Sequence, residues 1–173
     1  RLTASALEPL LESPSLRRRF QLAADAGQRI SDTLQRCGFR WGLDAEDRGG
    51  DPVHSLSWAI DRLLLGLVLP DLPGLAIDGC APEAPAGNLE DLGRALQLLT
   101  WVRDWLQSLR RPRPCQAWGQ ELRRLLEAPG PDPEVGDWER QELLAAIDTW
   151  LRSAEAAEAL LEAPVVAAVL EER

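Results

Sequence analysis

Residues 53–69 read VHSLSWAIDRLLLGLVL. Wound as an α-helix, this stretch places Leu56, Ile60, Leu63, Leu64, Leu67 and Val68 around almost the whole circumference, the pattern of a helix buried on most sides. Val53–Leu69 is therefore the expected core helix. Asp61 and Arg62 lie within it, and because a single buried charge is costly each is expected to meet a partner. The same two charges interrupt the apolar stretch, which is also too short to cross a bilayer.

Working outward, Leu22–Cys37 puts Ile30, Leu34 and Cys37 on one helix face, and Gly38 is placed to end that helix in a left-handed conformation. Phe39–Pro52, rich in Gly and Asp, reads as a loop. Ser5 with Glu8 suggests a capping box for a first short helix ending near Ser13. Ser13 followed by Pro14 starts a second short helix that carries Leu16, Phe20 and the triplet Arg17, Arg18 and Arg19. Downstream, Pro70–Gly87 is an irregular loop. Asn88 caps a long helix to about Arg110, with Leu89, Leu92, Leu96, Leu99, Trp101 and Trp105 on its apolar face. Pro112 and Pro114 stop it. Further helices are expected over Cys115–Glu127 and, after the turn-rich Ala128–Gly136, from an Asp137 cap over Trp138–Arg152, with a last one from Pro164. The expected class is all-α, an irregular domain of about six to eight helices over 1–173, divided into 1–69, the loop 70–87 and a helical remainder 88–173. No internal repeat and no strand alternation is evident.

Composition narrows the chemistry. An apolar fraction of 45% with seven tryptophans is ample for a core despite a formal charge of −9. All basic residues are arginine, which removes P-loop, Schiff-base and Ser-Lys lysines. Cys37, Cys80 and Cys115 are odd in number and far apart, fitting neither a disulfide framework nor paired zinc spacing. They are expected to be reduced, in a cytoplasmic protein. His54 is the only histidine, so no histidine metal site can be assembled. The pairs Asp44 with Asp47 and Asp132 with Glu134 sit in polar turns that solvation explains better than acid–base work. No catalytic residue, cofactor, metal or small-molecule ligand is expected. Candidate phosphate contacts are Arg17, Arg18 and Arg19, Arg110, Arg111 and Arg113, and Arg123 with Arg124, each weighed against a solvated face. The net charge opposes stand-alone nucleic-acid binding. The tryptophans can be base-stacking platforms, but their helical spacing favours core or interface packing. Arg1 at the start, the absence of methionine and a helical pattern running into the end read as a piece cut from a larger protein.

Two stretches carry more than pattern: Phe39-Arg40-Trp41-Gly42-Leu43-Asp44-Ala45-Glu46-Asp47-Arg48 and Trp58-Ala59-Ile60-Asp61-Arg62-Leu63-Leu64-Leu65-Gly66. With the upstream Ser13-Pro14-Ser15-Leu16-Arg17-Arg18-Arg19-Phe20 they resemble, in order and spacing, the RecC family, the gamma chains of exodeoxyribonuclease V. The resemblance covers roughly the first forty per cent of the chain in detail and the rest in pattern only. Ala59 and Ile60 stand where the family commonly has an aromatic residue and a glycine, and Gln21 replaces a usual glycine. The resemblance implies a helical, 2B-like part of a superfamily-one helicase-like subunit in the RecBCD helicase-nuclease. That ATP-dependent complex processes double-strand DNA ends and recognises Chi for recombinational repair, with catalysis carried by the partner chains RecB and RecD. It implies structural roles for Arg40, Trp41, Gly42, Leu43, Asp44, Trp58, Asp61, Arg62, Leu64, Leu65 and Gly66, and DNA contact through the assembly. A protein–protein interaction module without DNA contact is the competing reading.

Overall fold

The structure is a computed structural model, and it describes residues 2–69, 76–77, 79–83, 88–127, 137–153 and 159–171. Eight helices and a two-stranded ribbon are found among them, so the chain is all-α in class. It divides into two compact units, Arg1–Trp105 and Leu106–Arg173.

Local chemistry explains most boundaries in the first unit. Helix α1 (Ala4–Glu12) starts at Thr3, whose hydroxyl accepts from the Ala6 amide at 3.2 Å. The expected Ser5 capping box is not formed, because Ser5 already lies in the first turn. Pro14 opens α2 (Pro14–Arg19) as its fixed φ and missing donor favour. The expected start of the next helix at Leu22 is corrected to Ala26 in α3 (Ala26–Arg36). Gln21, at φ +52, turns the chain with a left-handed backbone, and the helix resumes only after that reversal. Gln21→Gly is therefore expected to raise stability by about 0.5–1 kcal/mol, relief of left-handed strain outweighing the added freedom of the unfolded chain. An unchanged or lowered urea midpoint would contradict that reading. Gly38, at φ +83, ends α3 as expected.

The core helix α4 (Leu56–Val68) is shorter than 53–69, because His54 at φ +69 cannot be helical and Ser55 caps instead, accepting from the Trp58 amide at 3.2 Å. Leu56, Ala59, Ile60 and Leu63 are buried, so Ala59 and Ile60 both serve the core. The opposite face is open: Leu64 is 44%, Leu67 37% and Val68 80% exposed. The expectation of enclosure on most sides thus holds for one face. Helix α5 (Leu89–Leu109) begins at the expected Asn88, whose Oδ1 accepts from the Glu90 amide at 2.9 Å, and the division between the units falls within it. Its buried residues are Leu92, Ala95, Leu96, Leu98, Leu99 and Val102, while Trp101 and Trp105 are only half-buried.

In the second unit, β1 (Arg113–Pro114) pairs antiparallel with β2 (Leu160–Leu161). Helices α6 (Cys115–Glu127), α7 (Asp137–Ser153) and α8 (Ala163–Glu171) complete it. Trp118 centres the core with Cys115, Ile147, Trp150, Leu151 and Val166. Its indole Nε1 donates to the Leu161 carbonyl at 2.8 Å, satisfying the one polar atom that burial would otherwise orphan. A Cβ on Gly119 would lie 2.5 Å from Leu151 Cδ1, so glycine lets α7 pack closely on α6. The expected turn 128–136, with Asp132 and Glu134, lies outside the described residues, as do the side chain of Asp137 and positions 70–75, 78 and 84–87 of the expected loop 70–87. No helix among the described residues is long and apolar enough to cross a membrane.

Candidate functional site

The two distinctive stretches meet in space. The segment after α3 crosses in front of α4, held by backbone bonds from Arg40 N to His54 O (2.9 Å), Leu56 N to Gly42 O (3.0 Å) and Ser57 N to Leu43 O (2.9 Å). Gly42 N also donates to Leu2 O at 2.8 Å, tying in the chain before α1. Phe39 and Leu43 are buried beneath this crossing. Gly42 has φ +84, and a Cβ there would press on the side chains of Asp47 and Arg48 at 3.2 and 3.1 Å.

The loop's charges serve its shape. Asp47 accepts from the Leu43 amide at 2.6 Å, and Asp44 from the Glu46 amide at 3.1 Å. Both carboxylates close turns, which is what Asp does in loops. The Arg48 guanidinium lies 4.6 Å from the Trp41 ring centre and donates to Trp41 O at 3.3 Å. Arg40 differs: its backbone is engaged while its side chain is exposed.

Arg62 is the hub of the second stretch. Its Nη1 donates to Cys37 O at 2.8 Å, Nε to Ala81 O at 2.7 Å and Nη2 to the Glu83 carboxylate at 3.0 Å. Glu83 N in turn donates to Arg62 O at 3.1 Å. The guanidinium also lies 5.1 Å from the Trp58 ring centre. One planar fork therefore fastens the end of α3 and the 81–83 segment to α4, a task that five rigid donors suit and a lysine does not. Gly66 permits the docking, since a Cβ there would sit 1.8 Å from the Glu83 carbonyl oxygen. The expected partner of Arg62 is thus found. Asp61, by contrast, is exposed rather than buried, and partial desolvation raises its carboxyl above the usual range against the pull of Arg103.

His54 Nδ1 lies 2.7 Å from Gly38 O, which places the proton on Nδ1, and the ring meets Trp58 edge-on with centroids 5.3 Å apart. This is a histidine built into a turn. Burial pushes the Cys37 thiol up to about 12, with the Glu83 charge adding to it, and burial also raises Cys80 and Cys115. All three are free, buried thiols, the opposite of an activated nucleophile. Among the described residues no three His, Cys, Asp or Glu side chains converge as a metal site would require.

The arginine candidates differ in exposure and in the groups they meet. Arg113 is engaged: Nη2 donates to Ser108 O, Nη1 lies 3.4 Å from Glu121, and the guanidinium is 5.3 Å from the Trp118 ring centre. Arg17 lies 4.0 Å from Glu12, and Arg123 pairs with Asp148. Arg110 is half-buried. Arg18, Arg19, Arg111 and Arg124 are exposed. The sequence had no signal for Glu83 as a partner or for the contact of Arg19 with Phe20 and Trp101, whose ring centres lie 5.4 and 5.3 Å from its guanidinium. Gly66 within an apolar helix was the one legible hint of a close approach.

Residues 1–173 match the family described as RecBCD enzyme subunit RecC fourth domain. The RecBCD enzyme subunit RecC of Mycobacterium tuberculosis (strain ATCC 25618 / H37Rv) is 28% identical over 182 residues, 99% of this chain and 16% of the relative. That of Mycolicibacterium smegmatis is 28% identical over 135 residues, 74% of this chain and 12% of the relative. That of Escherichia coli (strain K12) is 24% identical over 125 residues, 69% and 11%. The chain thus spans less than a fifth of the length of these relatives. With a match along its whole length, the chain belongs to the RecC fourth-domain family.

Proposed function

We propose that this chain serves as a non-catalytic helical segment of a RecC subunit within a cytoplasmic RecBCD (exodeoxyribonuclease V) complex. In that setting RecB and RecD are its partner subunits, and the complex unwinds and degrades double-strand DNA ends, responds to Chi and feeds recombinational repair. The paired stretches around Trp41 and Arg62 act as scaffold, and the exposed Arg18, Arg19 and Arg111 are its DNA-backbone contacts. The observation that carries the scaffold reading is the Arg62 fork, which donates to Cys37 O, Ala81 O and the Glu83 carboxylate. The engaged Arg113 is assigned to the scaffold and not to DNA.

A protein–protein module without DNA contact is the second reading, favoured by the exposed Leu64, Leu67 and Val68 of α4 and by Trp138, which is 64% exposed. Anisotropy titration of the chain against a labelled forked duplex at low and moderate salt separates the two. Salt-sensitive binding is expected, and replacing Arg18, Arg19 and Arg111 together by alanine is expected to reduce the magnitude of the log–log salt slope by roughly 2–3. A folded chain that binds no duplex even at low salt would leave the subunit-contact reading.

A further inference from the structure

We propose that a cavity between α3 and α5 is a binding site for a short aliphatic chain headed by a hydrogen-bond donor, a primary amine or alcohol. The cavity lies within the Arg1–Trp105 unit and encloses about 80 Å³. Its apolar wall includes Ile30, Leu63, Leu96 and Leu99, at 1–6% exposure. The volume would hold two to three waters at the ~30 Å³ each takes in the liquid, but aliphatic walls give water too few partners. A hydrocarbon tail is the better occupant, because it gives up apolar surface to apolar surface.

The gap has a cause in the sequence. Long polar side chains tie α5 to α3 and to the turn before it: Arg29 reaches Asp91 at 3.4 Å, and Arg94 Nη1 donates to Gln21 O at 2.9 Å. Between these ties the lining residues Ala23, Ala26 and Ala95 carry one methyl each, too little to close the space to the density of an ordinary interior. The head group is set by the charges beside the opening. Arg29 and Asp91 both line the cavity, and Arg29 also meets Asp25 at 3.2 Å. Two carboxylates against one guanidinium leave this edge net negative, on a chain whose formal charge is −9. Carboxylates accept a hydrogen bond from an ammonium or a hydroxyl, and the same charge repels an anionic head.

The test follows the methyl NMR signals of Ala26, Ile30, Leu63 and Ala95 while the chain is titrated at neutral pH with n-butylamine, n-butanol or butyrate. Saturable shifts at these methyls are expected with the amine and the alcohol, and binding of butyrate weaker by roughly tenfold. Ala95→Leu fills the interior of the cavity and is expected to abolish the saturable shifts at the remaining methyls. Ala23→Leu does the same from an exposed position, where the larger side chain leaves the core untouched and the fold intact. Absence of saturable shifts in the parent chain, or their persistence in folded Ala23→Leu, would overturn the site. Butyrate binding as tightly as n-butylamine would overturn the assigned ligand class.

Discussion

Gly66→Ala is expected to destabilise the chain by about 3 kcal/mol, seen as a lower urea midpoint. The sign is informative. Within an exposed helix the same change adds about 1 kcal/mol of stability, because alanine is the better helix former. Here the new Cβ would meet the Glu83 carbonyl oxygen at 1.8 Å, and backbone cannot swing aside as a side chain does. Either α4 or the 81–83 segment must move, and moving that segment pulls Ala81 O and the Glu83 carboxylate off Arg62. A variant at least as stable as the parent would show that this segment is not docked on α4.

The second large effect is expected at Arg62. Arg62→Ala removes the donor for Cys37 O, Ala81 O and the Glu83 carboxylate at once and uncovers one face of Trp58. Because the Arg62 and Glu83 side chains are only 16% and 24% exposed, the carboxylate left behind is poorly solvated, and the loss is expected to be about 3–4 kcal/mol. Arg62→Lys should recover only a fraction, since an ammonium cannot span acceptors from two segments in one plane. Glu83→Gln, which keeps an acceptor in place, is expected to cost less than Arg62→Ala. Equal midpoints for Arg62→Ala and the parent in urea unfolding would refute the hub.

Features that depend on residues a few positions apart were legible in the sequence. Pro14, Gly38, Asn88 and the limits of Cys115–Glu127 all behave as their local chemistry dictates. Errors arose where a single backbone angle decided the matter. Positive φ at Gln21 and His54 delays α3 and α4, and neither residue type announces it. Periodicity also could not say which way the apolar circumference of α4 would be covered, so its open Leu64, Leu67 and Val68 face came only with the structure. The same limit applied to the site. That Arg62 needed a partner followed from the cost of burying a charge, but Glu83 lies 21 residues away in an irregular segment whose path no spacing rule describes. Arg111 and Arg113 read alike in sequence, yet only Arg113 has Glu121, Ser108 O and Trp118 around it, because contacts across elements separate them. The strands β1 and β2, two residues each, are too short to show alternation.

On the scaffold reading proposed above, the Arg62 stretch holds the fold and does not hold DNA. Forked-duplex anisotropy on Arg62→Ala, at a temperature where its tryptophan emission matches the folded parent, tests it directly. Parental affinity is expected, despite a urea midpoint lowered in line with the loss of about 3–4 kcal/mol. A parental urea midpoint together with at least tenfold weaker duplex binding would contradict it and move Arg62 from the scaffold to the DNA surface.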